Sequence, residues 1–145
     1  MKLHDTQPLR GELTLVIQRR GHEPETITEH NMIMNIARDA LAKLIAGQGA
    51  GKSINRIGFG TGSTGPSPDD TALTSAYIKS VGAISFPSSG QVTFAFSLAE
   101  SEANGKSIRE FGLLCSDGSL FSRKVRGVIE KSDDLSLSGS WTIIF

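Results

Sequence analysis

Two glycine-rich segments are the residues of this chain whose spacing could bind phosphate. Segment 46–53, Ala-Gly-Gln-Gly-Ala-Gly-Lys-Ser, fits a permissive form of the P-loop with alanine in place of the first glycine. Segment 60–65, Gly-Thr-Gly-Ser-Thr-Gly, fits the dinucleotide-binding fingerprint. In both kinds of site backbone amides and a helix N-terminus hold the phosphates, so the loop must link a strand to a following helix.

The sequence around both segments argues against that chemistry. A helical pattern precedes 46–53 and a strand pattern follows it, which is the reverse of the order that a P-loop needs. After 60–65, Pro66 and Pro68 stand where a crossover helix would need its first turns, and no βαβ pattern follows. We therefore predict no nucleotide cofactor, and we interpret 60–65 as a loop shaped by glycine that another chain approaches closely.

Hydrolytic and metal chemistry have few candidate residues. His4, His22 and His30 all lie among the first thirty residues, without a His-x-x-x-His pair or a Gly-x-Ser-x-Gly elbow elsewhere. The single cysteine, Cys115, lies in the apolar run 111–115, which predicts a small buried side chain. We expect no enzyme activity, no catalytic residue and no metal site.

Two pairs of acids, at 69–70 and 133–134, occur in linkers rich in serine, threonine or proline. Such pairs typically solvate a turn or cap a helix, and here the second option predicts a short helix at 71–75.

Composition excludes further classes of partner. The 145 residues are enough for one domain with a core of its own. Fifteen basic residues balance fifteen acidic ones, so no overall field attracts a nucleic acid or an anionic membrane. The N-terminus lacks the apolar region of a signal peptide, and we expect synthesis and folding in a cytoplasm.

The hydrophobic pattern predicts an α+β fold, mainly an antiparallel β-sheet in a sandwich-like meander, with one helix packed on it. Leu13, Leu15 and Ile17 alternate with more polar residues, and 26–28 is the expected returning strand. A helix is expected to start at Asn35 as N-cap and to stop at Gly47. Further strands are predicted at 54–59, 77–86, 91–98, 107–115, 120–128 and 138–145, with an Asp-Gly turn at 117–118.

The order of four of these segments resembles the baseplate-attachment domain at the N-terminus of bacteriophage tail fibres and tail-collar fibre proteins. That family combines a Gly-rich strand end, a Pro-containing linker with an acid-x-x-Leu segment, an Ile-x-Glu-x-Gly-Leu strand and an Asp-Gly turn. The corresponding residues here are 57–62, 66–73, 108–114 and 117–118, within a match over 31–145. Residues 1–30 form an additional strand or hairpin, and the fibre shaft and receptor-binding tip are absent from this sequence.

The resemblance implies a structural component of a phage or prophage tail, an adaptor or attachment protein of the baseplate or tail fibre that assembles in the host cytoplasm and resides in the virion tail. It also implies self-association in closed cyclic symmetry, with three copies as the expected number, and binding to other tail, baseplate or fibre proteins. Exposed sheet edges and an apolar terminal strand would suit pairing between copies. The candidate assembly contacts lie in two loops and are Gly60, Gly62, Pro66, Asp70, Asn104 and Lys106.

The alternative function is a receptor- or carbohydrate-binding β-module of the tail tip. Sugar sites usually place an exposed aromatic side chain beside acids and amides. Trp141 and Tyr77 are the only aromatic residues besides phenylalanine, and both fall in predicted strands. No small-molecule substrate is expected from the sequence.

Overall fold

A computed structural model describes residues 9–145, so His4 and the signal-peptide prediction lie outside the described part of the chain. It contains nine strands and one helix in this range. These are β1 (Arg10–Arg19), β2 (Glu25–Ile33), α1 (Asn35–Ile45), β3 (Ile54–Gly60), β4 (Tyr77–Ser80), β5 (Ile84–Ser85), β6 (Gln91–Leu98), β7 (Ser107–Cys115), β8 (Leu120–Glu130) and β9 (Leu135–Ile144). The predicted class, mainly antiparallel sheet with one helix, is confirmed.

The nine strands form one curled antiparallel sheet in the order β4-β3-β7-β8-β2-β1-β9-β6-β5. The strand pairing is shortest between β2 and β8, where only Met32 with Arg123 and Ile33 with Ser122 are paired. At this short junction the sheet bends, and its two halves pack face to face. The ring of Phe59 on β3 contacts the ring of Phe96 on β6 edge-on, with centroids 6.1 Å apart. One hydrophobic core therefore fills the space between the halves.

The middle of one half is built from β1 and β9. Leu13, Leu15 and Ile17 point into the core, which confirms the alternation predicted for β1. β9 lies between β1 and β6 and pairs with both along its length. The expectation that the terminal strand suits pairing between copies is therefore wrong, because both of its backbone edges are already hydrogen-bonded within the chain.

Trp141 fastens β9 to the core. Its side chain is fully buried, and its indole Nε1 donates a hydrogen bond of 2.8 Å to Oδ1 of Asn31 on β2. A buried indole needs such a partner, because an unpaired N–H would lose its hydrogen bonds to water and lower the stability of the fold.

The segment predicted as one strand at 77–86 is instead two short strands on opposite halves of the sheet. β4 pairs with β3, and β5 pairs with β6. Between them the amide of Val81 donates a hydrogen bond to the carbonyl of Asn55 on β3, and the amide of Gly82 donates one to the carbonyl of Ala95 on β6. Three residues thus carry the chain from one end of the sheet order to the other.

Helix α1 covers part of the sandwich and packs against β8. Ala37 and Ala40 are buried, as the apolar stripe predicts, and Gly47 ends the helix with φ of +73°. The N-cap prediction is wrong by one residue: Met34 occupies that position without a side-chain cap, and Nδ2 of Asn35 donates instead to Asp69.

Residues 71–75 are not helical, which corrects a second prediction. Asp70 instead closes a turn, accepting a hydrogen bond from the amide of Ser67. Of the described residues, no helix combines the length and apolarity needed to cross a bilayer.

Gly139 of β9 has no room for a Cβ atom beside β1, and replacing it with alanine should destabilise the fold. A Cβ atom there would lie 2.2 Å from the carbonyl oxygen of Thr14 and 2.8 Å from the Phe96 ring. We expect Gly139→Ala to lower the free energy of unfolding by about 2 kcal/mol, as overpacking of a core does. Urea denaturation measures the loss. Gly127→Ala is the control, since that glycine is also in a strand but has open space around it; equal stability of the two variants would contradict the prediction.

Candidate functional site

A buried ion pair lies at the centre of the segments that carry the family resemblance. Glu110 of β7 and Arg123 of β8 have side chains that are 1% and 5% exposed, and Nε of the arginine lies 2.7 Å from Oε1 of the carboxylate. Antiparallel pairing of the two strands brings these residues to one face of the sheet, since Gly112, two residues after Glu110, stands opposite Arg123.

The second carboxylate oxygen of Glu110 holds the glycine-rich loop. Oε2 accepts hydrogen bonds of 2.8 Å from the amide of Gly62 and from the amide of Thr74. A Cβ atom on Gly60 or Gly62 would lie within 2.6 Å of that oxygen, so both positions require glycine. The close approach predicted for this loop is therefore made by Glu110 of the same chain.

Arg123 ties the far end of the same loop to the sheet. Its Nη1 donates to Oδ2 of Asp70 at 2.9 Å, and its Nη2 donates to the carbonyl of Thr64 at 2.9 Å. Every nitrogen of the guanidinium thus has an acceptor, which is the condition for keeping an arginine buried. We call Glu110, Arg123 and Asp70 the loop anchor.

The loop between β3 and β4 also contacts the start of helix α1. The amide of Asn35 donates to the carbonyl of Pro68 at 2.8 Å, next to the side-chain bond from Asn35 to Asp69. The loop between β3 and β4 is consequently fixed to β7, to β8 and to the start of the helix.

A second buried cation fixes the loop between β6 and β7. Lys131 is 2% exposed, and its Nζ donates to Oδ1 of Asn104 at 2.8 Å and to the carbonyls of Ser132 and Glu100 at 3.0 and 3.2 Å. Burial lowers the pKa of this ammonium, although four neighbouring carboxylates oppose the change. Three oxygen acceptors match the three N–H donors of a lysine.

Glu102 joins this loop to the edge strand β4. Its carboxylate accepts hydrogen bonds from Nζ of Lys79, from the amide of Ala99 and from the hydroxyl of Tyr77, at 2.8 to 2.9 Å. These bonds, led by the one from Lys79, lower the pKa of Glu102 from its ordinary value of 4.5 to about 2.

The P-loop-like segment has the opposite geometry from a nucleotide site. It follows α1 and precedes β3, as the sequence indicates. Its lysine, Lys52, lies 2.7 Å from Oδ2 of Asp117 in the β7–β8 turn, and this bond holds the pKa of that carboxyl far below its ordinary value. Gly118 in the same turn has φ of +89°, which confirms the predicted Asp-Gly turn.

Metal ligands and the cysteine thiol are two further candidates for chemistry in the described part of the chain. Between residues 9 and 145 no three histidine, cysteine or acidic side chains are grouped so that they could hold a metal ion. Cys115 is 1% exposed, as predicted, and burial raises the pKa of its thiol. Trp141 is fully buried and offers no face for a sugar ring to stack on.

An apolar groove opens between the second half of α1 and the sheet edge at β5. It has a volume of about 260 Å³, and its floor includes the buried side chains Phe94, Phe121 and Ile143. Its rim includes Leu44, Ile84 and Phe145. A shallower pocket adjoins it and shares Val92 and Phe145, with Phe86 on its wall.

Most of the exposed large apolar side chains in the described range surround this groove. Seven are exposed in all, and four of them line the groove or the adjoining pocket and form what we call the apolar patch: Leu44, Ile84, Phe86 and Phe145. Phe86 is the most exposed of the four, at 76%. Apolar clusters of this kind usually mark a surface that another molecule covers.

The six predicted assembly contacts lie in three different settings. Gly60, Gly62 and Asp70 contact the loop anchor, whereas Pro66 is exposed at the outside of the loop. In the other loop, Asn104 is exposed and accepts from Lys131, and Lys106 donates to the carbonyl of Ser75. Whether any of them contacts another chain stays a prediction.

Sequence reasoning missed the two buried cations and the apolar patch. Arg123 and Lys131 stand in the sequence beside other charged residues and carry no signal that separates them from solvated ones. The patch has a partial signal in Leu44, which belongs to the apolar stripe of α1 but is exposed, unlike Ala37 and Ala40.

In comparisons with known proteins, no family model, no curated protein and no solved structure matches this chain.

Removing the charge of Glu110 should destabilise the protein strongly. Glu110→Gln keeps the shape but removes one of the two carboxylates that face the buried guanidinium of Arg123 and leaves only Asp70, and breaking one partner of a buried pair costs about 3 kcal/mol or more. Chemical denaturation should show this loss, and the amides of Gly62 and Thr74 should exchange hydrogen faster. Glu130→Gln, an exposed residue bonded only to Ser107 among the described side chains, is the control; a similar small effect in both variants would refute the role of the anchor.

The lowered pKa of Glu102 predicts a loss of stability in acid. A carboxyl whose pKa falls on folding stabilises the protein above its unfolded-state pKa, and this contribution disappears as the pH falls towards the folded value. The difference in unfolding free energy between wild type and Glu102→Gln should therefore shrink from pH 5 to pH 2. Denaturation curves at several pH values measure it, and a difference that does not change over this interval would contradict the prediction.

Proposed function

We propose that this protein is a structural component of a bacteriophage or prophage tail, acting as an adaptor or attachment protein of the baseplate or tail fibre. The observation that supports it best is that the segments carrying the family resemblance are physically coupled. The Ile-x-Glu-x-Gly-Leu strand supplies Glu110, the Gly-rich strand end supplies Gly62, and the Pro-containing linker supplies Asp70. Because these segments hydrogen-bond to one another, we expect the sequence motifs that contain them to occur together in one domain.

A role in assembly is further supported by the surface of the molecule. The loops are fixed by buried charges and hydrogen bonds, which suits a rigid connecting part. The apolar patch offers an adhesive surface. The protein is proposed to act without enzyme activity or cofactor, to associate with itself and with other tail proteins, and to reside in the virion tail after assembly in the host cytoplasm.

The test is the composition and appearance of particles from the strain that encodes the chain. Peptides of this protein should be found in purified particles, and gold-labelled antibodies should mark the tail end that carries the fibres. Particles from a strain lacking the gene should have tails without attached fibres, and a plasmid copy of the gene should restore them. Complete, infective particles without any peptide of this protein would refute the proposal.

A further inference from the structure

We propose that the apolar patch is the contact between copies of this chain, with Phe86 of one copy inserted into the apolar groove of the next. This inference rests on the assembly role proposed above and adds the surface that carries it. The contact joins two different parts of the patch, a projecting side chain and a groove. Because the ring and the groove lie side by side on each copy, the same two copies exchange both halves, and the contact is a two-fold one.

The area of the patch fits a contact between copies. The exposed fractions of its four side chains together equal about two fully exposed side chains, or roughly 400 Å² at about 200 Å² for each. A specific interface covers about 800 Å² on each partner. The patch alone therefore supplies about half of the surface that one copy contributes, and polar residues at its border supply the remainder.

The charge of the groove restricts what can enter it. Among the described residues that line it, Lys52 is the only one with a charged side chain, and that ammonium is already paired with Asp117. A charged occupant would lose its hydration without gaining a counter-charge. The ring of Phe86 is uncharged, it is 76% exposed, and it lies beside the groove of its own copy, so each copy presents both halves of the contact.

The backbone next to the groove is also available. β5 is the last strand in the sheet order and pairs, within the described chain, only with β6. Its outer edge at Ile84 and Ser85 immediately precedes Phe86, so a neighbouring copy that receives the ring can hydrogen-bond to this edge as well.

The experiment uses one variant for each half of the contact. Phe86→Ser removes the projecting ring and leaves the groove intact, whereas Leu44→Glu places a charge on the rim of the groove and leaves the ring intact. Both residues are exposed, so neither variant should lose its fold, and circular dichroism and thermal melting check this. The control is Ile78→Ser on β4, which removes a side chain of similar exposure outside the patch.

Light scattering during size-exclusion chromatography reads the result. Wild type and Ile78→Ser should have the mass of two chains, and each patch variant should have the mass of one chain. The dissociation constant should rise about 30-fold or more, as for a buried aromatic hot spot. An equimolar mixture of the two patch variants should form a complex of two chains, since one intact ring and one intact groove remain.

Two results would overturn the inference. One is a wild-type protein that stays monomeric at every concentration, including one that binds glycans through this patch. The other is an oligomer whose mass neither variant changes. A monomer that is nevertheless found in tail particles overturns this inference and leaves the proposed function standing, whereas an oligomer that the variants dissociate but that is absent from particles refutes the proposed function alone.

Discussion

The ion pair between Glu110 and Arg123 is the interaction on which the conformation of the longest loop depends. Both charges are buried, and burying a charge is costly unless each of its hydrogen-bonding atoms finds a partner. The partners here are amides and carbonyls of the β3–β4 loop and the carboxylate of Asp70. Because the pair can be satisfied only when the loop takes one path, the electrostatics of two strands determine the shape of a segment without regular structure.

The same interaction gives the glycine pattern at 60–65 a structural role. Glycines at 60 and 62 allow backbone amides to approach an anion closely, which is what a nucleotide-binding loop does. In this protein the anion is the side chain of Glu110. Lys131 does the same with the opposite charge: its buried ammonium binds oxygens of Glu100 and Asn104 in the β6–β7 loop and the carbonyl of Ser132, which follows β8.

The geometry of the helix accounts for the exposed apolar surface. With eleven residues α1 is about 16 Å long, and its buried residues, Ala37 and Ala40, lie in its first half. Beyond them Leu44 and Ile45 are exposed, and Leu44 lines the groove together with Ile84 of β5. The groove is thus a consequence of a short helix closing a wide sandwich, and its floor is continuous with the core through Phe94, Phe121 and Ile143.

The sequence by itself determined what depends on local spacing. Period-two alternation identified β1 and β6, the three-and-four spacing located α1, and Asp-Gly placed the β7–β8 turn. It did not determine the strand order, the division of 77–86 between two halves of the sheet, or the partners of Glu110 and Arg123. Those features depend on contacts between residues far apart in the chain, which leave no local periodicity. Only the tertiary structure decided them, because a charge is buried or solvated according to the groups that the fold brings around it.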